Sequence, residues 1–430
     1  MSAARRVAYG VVVVVLVAAA AAFALTTRSA IPAISPPARA AFENGLIAKG
    51  ETLAAMGDCM ACHTAPEGKP FAGGLSVPTP FGTIYSTNIT PDAETGIGRW
   101  SEAAFVRAMR EGVDREGDFL YPAFPYDHFT HIDDGDLKAL YAYLMTRTAV
   151  SAEAPANTLP FPLNFRPVLA GWNLLFLRGG PIPQDASKGP EWNRGAYLVE
   201  GLGHCGACHT PRNALGGERQ AEAFAGGTAE NWHAPALDAT SPAPVPWTVE
   251  TMTAYLRRGW AEQHSASSGP MQVVYHNLGE VPESDVKAMA TYLVAKAGPP
   301  SADRQKRAAD AIAKAAANPA GGSAAGEGAD VFAGACANCH RNGGPTLAGR
   351  LPMGLYTAVN APDPRNLIHV VMDGLRPREG EAGPMMPGFA PALTDAQIAA
   401  LVTFIRGRYS DRPAWSDVAA TVKALRAERD

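Results

Sequence analysis

The distribution of apolar and charged residues separates one long uncharged segment at the N-terminus from the rest of the chain. Residues 7–25 contain no charge, and their length is close to the roughly 20 residues with which a helix crosses a bilayer. Because Arg5 and Arg6 precede them, we expect one N-terminal transmembrane anchor within residues 1–28 and a body on the periplasmic side of a bacterial inner membrane. A cleaved signal peptide, with a small-residue site at residues 22–24, is the alternative.

Three shorter segments in the body of the chain share a helical pattern. Each begins with acidic residues and continues with apolar and aromatic residues three and four positions apart, as on one face of a helix. The segments are 133–144, 284–293 and 394–405. Ser284 and Thr394 are suited to cap the last two helices. Since no long alternation typical of strands accompanies them, we predict an all-α fold of small domains with long loops.

Composition bounds the number of domains and excludes one class of partner. The chain has 430 residues, 47% of them hydrophobic and 18% charged, which allows several domains at roughly 100–200 residues each. The net charge of −4 lacks the basic excess of a nucleic-acid-binding protein, so we expect no nucleic-acid partner.

Six cysteines carry the strongest chemical signal. They form three CxxCH strings: Cys59, Cys62 and His63; Cys205, Cys208 and His209; Cys336, Cys339 and His340. This spacing suits covalent haem c, because the two thiols bond to the vinyl groups while the imidazole binds iron. Zinc half-sites and redox disulfides fit less well. A zinc site would need further ligands at matching spacing, and thioredoxin-like chemistry would need a βαβ unit.

The wide spacing of the three strings indicates a triplication at domain scale, and therefore three covalent haems c. The predicted parts are the anchor or signal peptide at 1–28, cytochrome c domain one at 40–150, a Pro-rich linker at 151–190, domain two at 191–297, a flexible linker at 298–327, domain three at 328–410 and a C-terminal tail helix at 411–430. Within the Pro-rich linker, residues 160–178 are apolar and aromatic. We favour packing between domains for this segment over contact with lipid or quinone.

Methionines in Gly/Pro-rich loops are the candidates for the second axial ligand of two irons. Met271 and Met386 each lie shortly before the last helix of their domain, in domains two and three. Met386 is preferred over Met385 because the following proline fixes the loop and carries no competing N–H. Methionine ligation raises the reduction potential of a haem.

Domain one departs from this pattern. Phe124 stands where a methionine is expected, and a phenyl ring cannot bind iron. His128 is the preferred ligand, which would give this haem a lower potential than the other two. His131, an open or water-bound iron, and a remote methionine such as Met109 are the alternatives.

The chain resembles the triheme cytochrome c subunits of bacterial periplasmic membrane-bound dehydrogenases. The resemblance is carried by the CxxCH strings, by residues 78–90 with the Gly96-Ile97-Gly98 string, and by the loop at residues 121–126. Phenylalanine in that loop, together with residues 163–167 and 170–173, looks more like the subunits paired with molybdenum hydroxylases or aldehyde dehydrogenases.

The resemblance implies an electron-transfer role with no catalytic residues in this chain. Electrons would pass from a dehydrogenase catalytic subunit, through a small iron–sulfur subunit if that partner contains molybdenum, to the haems and then to membrane ubiquinone or a terminal oxidase. A subunit of a PQQ alcohol dehydrogenase or of a flavin-dependent sugar dehydrogenase is one alternative. A stand-alone membrane-anchored carrier is another, and a peroxidase would need an open distal site on one haem.

Overall fold

The structure is a computed structural model and is mostly helical. It describes residues 26–317, 326–340, 352–377, 380 and 383–429, together with residues 5, 9, 13 and 17. The predicted anchor at residues 7–25 therefore lies, but for three positions, outside the described residues. Among the described residues, no helix is long and apolar enough to span a bilayer.

The described chain forms two compact units. Unit one is Met1–Pro183 with Glu200–His204, and unit two is Gln184–Val199 with Cys205–Asp430. The helices that lie in unit one are α1 (Asn44–Met56), α2 (Cys59–Cys62), α3 (Glu102–Glu111), α4 (Tyr126–Phe129), α5 (Asp134–Met145) and α6 (Leu169–Phe176). The helices that begin in unit two are α7 (Pro190–Glu200), α8 (Gly206–His209), α9 (Val249–Arg258), α10 (Pro270–Gly279), α11 (Glu283–Ala297), α12 (Ala302–Ala317), α13 (Glu327–Val331), α14 (Ala337–His340), α15 (Thr357–Asn360), α16 (Arg365–Asp373), α17 (Asp395–Tyr409) and α18 (Val418–Ala427).

A crossing of two helices recurs three times at the same kind of contact. The pairs are α1 with α5, α7 with α11 and α13 with α17. In each pair one helix presents a glycine to the backbone of the other. A Cβ at Gly50, Gly195 or Gly328 would lie only 2.0, 2.0 or 2.2 Å from the carbonyl oxygen of Ala139, Ala288 or Ala400. A side chain at these positions would force the helices apart, so the triplication predicted from the haem strings extends to the packing of the helices.

Three short hairpins interrupt this helical architecture, and the sequence analysis missed them. β1 (Ser76–Thr79) pairs with β2 (Gly82–Tyr85), β3 (Gly227–Ala229) with β4 (Trp232–Ala234), and β5 (Trp260–Ala261) with β6 (Ser265–Ala266), all antiparallel. Each strand has two to four residues. That length is too short to produce a readable alternation of apolar and polar residues.

Helix termini were predicted with mixed success. Thr394 caps α17 in a reciprocal capping box with Gln397, as its position suggested. The prediction of Ser284 as a cap is wrong, because α11 begins at Glu283 and its cap residue is Pro282. Ser284 therefore lies inside the helix. Outside these helices, the linker at 298–327 contains the regular helix α12, while residues 318–325 lie outside the described part.

Unit two contains the second and third CxxCH strings and is joined through the β3–β4 hairpin. His233 N–H donates to Asn366 Oδ1 at 2.8 Å, and Asn366 Nδ2 donates back to His233 O at 2.7 Å. Next to this pair, the rings of Trp232 and His369 stack with centroids 4.3 Å apart. The reciprocal hydrogen bonds and the stacked rings hold α16 on the hairpin.

Candidate haem sites

The first CxxCH string is formed by α2 and the residue that follows it. Asp58, in left-handed conformation with φ of 51°, turns the chain from α1 into α2. His63 follows at the C-terminus of α2, and its Nδ1 lies 2.6 Å from Thr87 O. Because a carbonyl oxygen only accepts, Nδ1 carries the proton and Nε2 carries the lone pair.

The second string repeats this arrangement with different residues. His209 ends α8, and its Nδ1 lies 2.7 Å from Pro235 O, just after the β3–β4 hairpin. The backbone beside each histidine also matches: His63 O accepts from Gly73 N–H, and His209 O accepts from Gly226 N–H, both at 2.8 Å. In both sites the backbone fixes the ring and its tautomer, which is how proteins orient a histidine that binds a metal through its other nitrogen.

The third string begins in a π-helical segment, Phe332–Cys336, and continues in α14. Cys336 is buried, Cys339 is exposed, and His340 is the last residue of α14. The ring of His340 faces that of Tyr356 edge-on, with centroids 6.5 Å apart. Residues 341–351 lie outside the described residues.

The six cysteines all lie within the described residues, and none of them forms a disulfide. Burial, assisted by the negative charge of Asp58, raises the pKa of Cys59 to about 12. Burial likewise raises the pKa of Cys336 to about 11. In both cases burial is the largest cause of the shift, since it disfavours the charged thiolate.

Buried polar atoms without partners provide an independent test of whether a haem fits the second site. Among the described residues, Trp260 Nε1, both ring nitrogens of His264 and Ser267 Oγ are buried and make no hydrogen bond. All three residues lie in the short segment around the β5–β6 hairpin, and Trp260 and Ser267 line one cavity. Unpaired buried donors are costly, so they indicate an acceptor that binds there. The two carboxylates of a haem are acceptors of this kind, and the residues therefore fit the group.

The two predicted methionine ligands lie in different local structures, one in the first turn of a helix and one in a short extended pairing. Met271 is the second residue of α10 and is half-buried. It follows Gly269, where a Cβ would lie 2.3 Å from the ring of Trp232. In the third repeat, the backbone N–H of Met386 donates to Leu375 O and the N–H of Leu375 donates to Met386 O, both at 2.9 Å. The side chain of Met385, by contrast, is 79% exposed. The exposure of Met385 favours Met386 as the methionine that faces the protein interior.

In the first repeat the two candidate histidines are held by different carbonyls. His128 lies in α4, is only 6% exposed, and has its Nδ1 2.9 Å from Glu200 O. His131 is half-buried, and its Nδ1 pairs with Gly180 O. Phe124 packs on Phe129 with ring centroids 5.3 Å apart, so it contributes to the packing around α4.

The segment Glu200–His204 is a part of the first site that sequence reasoning missed. A Cβ on Gly57 would lie 2.8 Å from Leu202 Cδ1, so Leu202 covers the turn before α2. The ring of His204 packs edge-on against Phe129. Burial lowers the pKa of His204, while the charge of nearby Asp58 acts in the opposite direction. No local signal could reveal this contact, because the segment is far from α2 in the sequence.

Comparison with known proteins agrees with the geometry of these sites. Two family models match: cytochrome c over residues 47–148, and cytochrome c oxidase, cbb3-type, subunit III over residues 323–405. The gluconate 2-dehydrogenase cytochrome c subunit of Pantoea cypripedii is 38% identical over 401 residues, which cover 90% of each chain. The chain belongs to the family of cytochrome c subunits of dehydrogenase complexes.

Other members of this family and a longer protein are also similar to the chain. The cytochrome c subunit of the quinone alcohol dehydrogenase of Gluconacetobacter polyoxogenes is 36% identical over 89% of this chain and 85% of its own length. A nicotinate dehydrogenase subunit of Pseudomonas putida is 46% identical over 94% of this chain. The chain spans only 34% of that protein. Covalent haem c follows from the cytochrome c domains.

Proposed function

We propose that this chain is a triheme electron-transfer subunit of a periplasmic dehydrogenase complex that is attached to the membrane. The observation that carries the proposal is the repeated site: a CxxCH histidine whose Nδ1 is held by a carbonyl, once at Thr87 and once at Pro235. Bound haem c supplies reversible one-electron transfer at its iron. The part of this chain is to hold the three groups, orient their histidines and shield them from water.

The proposed axial ligands follow the repeats. His63, His209 and His340 are the proximal ligands, and the paired cysteines form the thioethers. Met271 and Met386 are the distal ligands of the second and third irons. Their support is the position of Met271 at the start of α10 and the partial burial of Met386.

His128 is the proposed distal ligand of the first iron. Burial and the fixed tautomer support it, since Nδ1–H donates to Glu200 O and Nε2 carries the lone pair. His131 shares the tautomer but is more exposed, and it remains the second candidate.

The proposed partner is a molybdenum-containing hydroxylase or aldehyde dehydrogenase with a small iron–sulfur subunit. The support is the 46% identity to the nicotinate dehydrogenase subunit. Phe124 adds to it, since the loop that contains this residue resembles that of subunits paired with molybdenum hydroxylases. Electrons would leave the complex to membrane ubiquinone or to a terminal oxidase. The proposed location is the periplasmic face of the inner membrane, held by residues 7–25.

A second candidate partner is a PQQ alcohol dehydrogenase or a flavin-dependent sugar dehydrogenase. It is favoured by the gluconate and alcohol dehydrogenase cytochrome subunits, which match 85–90% of their own length. By contrast, two thirds of the nicotinate dehydrogenase subunit lies outside the match, since the chain covers 34% of it.

Cofactor analysis of the intact complex tests the proposal. The complex would be purified through this chain from detergent-solubilised membranes and analysed for haem c, total iron and molybdenum. Three haems per chain, with molybdenum and additional iron, would agree with the first partner. Three haems with flavin or quinone, and no further iron, would replace it with the second. Two or fewer haems in mature protein would overturn the triheme assignment.

A further inference from the structure

Helix α6 has apolar side chains on the face that is turned away from the protein as well as on the face that packs. Leu169 and Trp172 are 6% and 9% exposed and form the packed face. Leu174 and Leu175, two and three residues after Trp172, are 67% and 53% exposed. A helix on a water-facing surface normally presents polar residues there, so the outer face of α6 is unusual.

Apart from the indole of buried Trp172, the one polar side chain of α6 is directed inward. Asn173 accepts a hydrogen bond from Tyr126 Oη at 2.7 Å and donates one to Glu111 O at 2.9 Å. The outer face of α6 is therefore left without a polar side chain that could hydrate it.

The exposed apolar surface extends along the chain before α6. Phe161 is 82% exposed, Phe165 56% and Val168 37%. We call these three residues together with Leu174 and Leu175 the apolar patch. Single exposed apolar residues are ordinary, but five within fifteen positions of one segment mark an interaction surface. Exposed Arg178 follows α6, and half-buried Arg166 lies between Phe165 and Val168.

The first residue of α6 shares a packing partner with Arg28, near the start of the continuously described residues. The guanidinium of Arg28 is 5.4 Å from the ring centroid of Phe119. Phe119 belongs to one small buried cluster with Val113 and with Leu169, the first residue of α6. Ile31 N–H donates to Arg115 O at 2.8 Å and fixes the path of the chain nearby. The uncharged residues 7–25 therefore end three positions before a residue that shares a packing partner with α6.

We propose that the apolar patch inserts into the interfacial layer of the lipid bilayer, beside residues 7–25. Residues 7–25 come just before Arg28 in the sequence. A membrane that contains these residues would therefore lie on this side of unit one. Exposed aromatic and leucine side chains flanked by arginines suit the boundary between headgroups and acyl chains. The inference rests on the membrane location proposed above, and it adds a second point of attachment that would fix the orientation of unit one.

Photo-crosslinking from lipid acyl chains tests this directly. The intact complex would be reconstituted into vesicles of phosphatidylcholine and phosphatidylglycerol that contain a photoactivatable phospholipid, and labelled peptides would be identified by mass spectrometry. We expect label in the peptide that contains residues 160–178 as well as in residues 1–25. Label in residues 1–25 alone would overturn the proposal while leaving the haem content and the proposed function intact.

A double variant gives the matched comparison. Leu174→Gln with Leu175→Gln removes exposed apolar surface without entering the buried face. The labelling of residues 160–178 should fall about tenfold, because the two exposed leucines would no longer be buried among acyl chains. Leu215→Gln, at a residue 57% exposed in unit two, is the control and should change nothing. Unchanged labelling in the double variant, or protein–protein cross-links that show the patch covered by the catalytic subunit, would contradict insertion.

Discussion

The first and second cytochrome repeats share a scaffold but differ at the position of the distal ligand. In the first, Tyr126 packs against Gly112, and in the second, Tyr275 packs against Gly259, where a Cβ would lie 2.5 Å from the ring in both cases. The chain between glycine and tyrosine contains Phe124 in one repeat and Met271 in the other.

This comparison distinguishes the residues that hold the fold from the residue proposed to set the reduction potential of the haem. The helix crossings and the carbonyls that orient His63 and His209 are retained, so the proximal side is built in the same way twice. The proposed distal residue is methionine in the second repeat, and phenylalanine stands at the corresponding place in the first. If Met271 binds the second iron, this local difference gives the two haems different potentials.

The largest expected effect comes from breaking the shared scaffold. Gly50→Ala in unit one should lower the free energy of unfolding by at least about 3 kcal/mol, because the new methyl group would overlap Ala139 O. Thermal unfolding followed by circular dichroism measures the change. Gly45→Ala, in the same helix with nothing within 4 Å, is the control and should stabilise by about 0.5 kcal/mol. Equal effects from the two substitutions would refute the close approach.

Exchanging the distal ligand of the second repeat should have the next largest effect. Met271→His should lower the potential of one haem by on the order of 0.2 V, because an imidazole favours ferric iron more than a thioether does. A spectroelectrochemical titration would resolve the individual haems. Met385→His, at the exposed neighbour of Met386, should leave all potentials unchanged. A titration of Met271→His identical to that of the parent chain would exclude Met271 as a ligand.

The reverse exchange sharpens the comparison in the first repeat. His128→Met should raise the potential of a single haem, by an amount of similar order to the Met271 effect. His131→Met is the control. The two histidines are three residues apart, but their Nδ1 atoms pair with the carbonyl oxygens of different residues, Glu200 and Gly180. If His131→Met moves the potential and His128→Met does not, the assignment of the two histidines is reversed.

The smallest expected effect comes from the unpaired donors of the second repeat. Trp260→Phe removes the buried Nε1–H and keeps most of the ring. If this group donates to a haem carboxylate, its loss leaves more negative charge beside the iron and lowers one potential by much less than a ligand exchange. Trp415→Phe is the control, because Trp415 Nε1 already donates to Ala361 O at 2.9 Å. A change in stability alone would show that Trp260 is structural.

Local patterns predicted the parts of this molecule that depend on neighbouring residues. The CxxCH strings, the acidic helix starts and the cap at Thr394 are visible because each feature is formed within a few positions of the chain. The short hairpins escaped prediction because two to four residues carry too little periodicity. The cap of α11 was misplaced because several residues near a helix start can serve that role.

The sequence by itself determined the chemistry, namely covalent haem at cysteine pairs with a histidine beside each, because that chemistry needs residues adjacent along the chain. Only the tertiary structure decided which carbonyl holds each histidine, that Leu202 covers the turn before α2, and that α6 presents leucines outward. These facts depend on contacts between residues distant in sequence, and no local spacing records such contacts. The orientation of each ring and the exposure of each face are therefore properties of the packed chain.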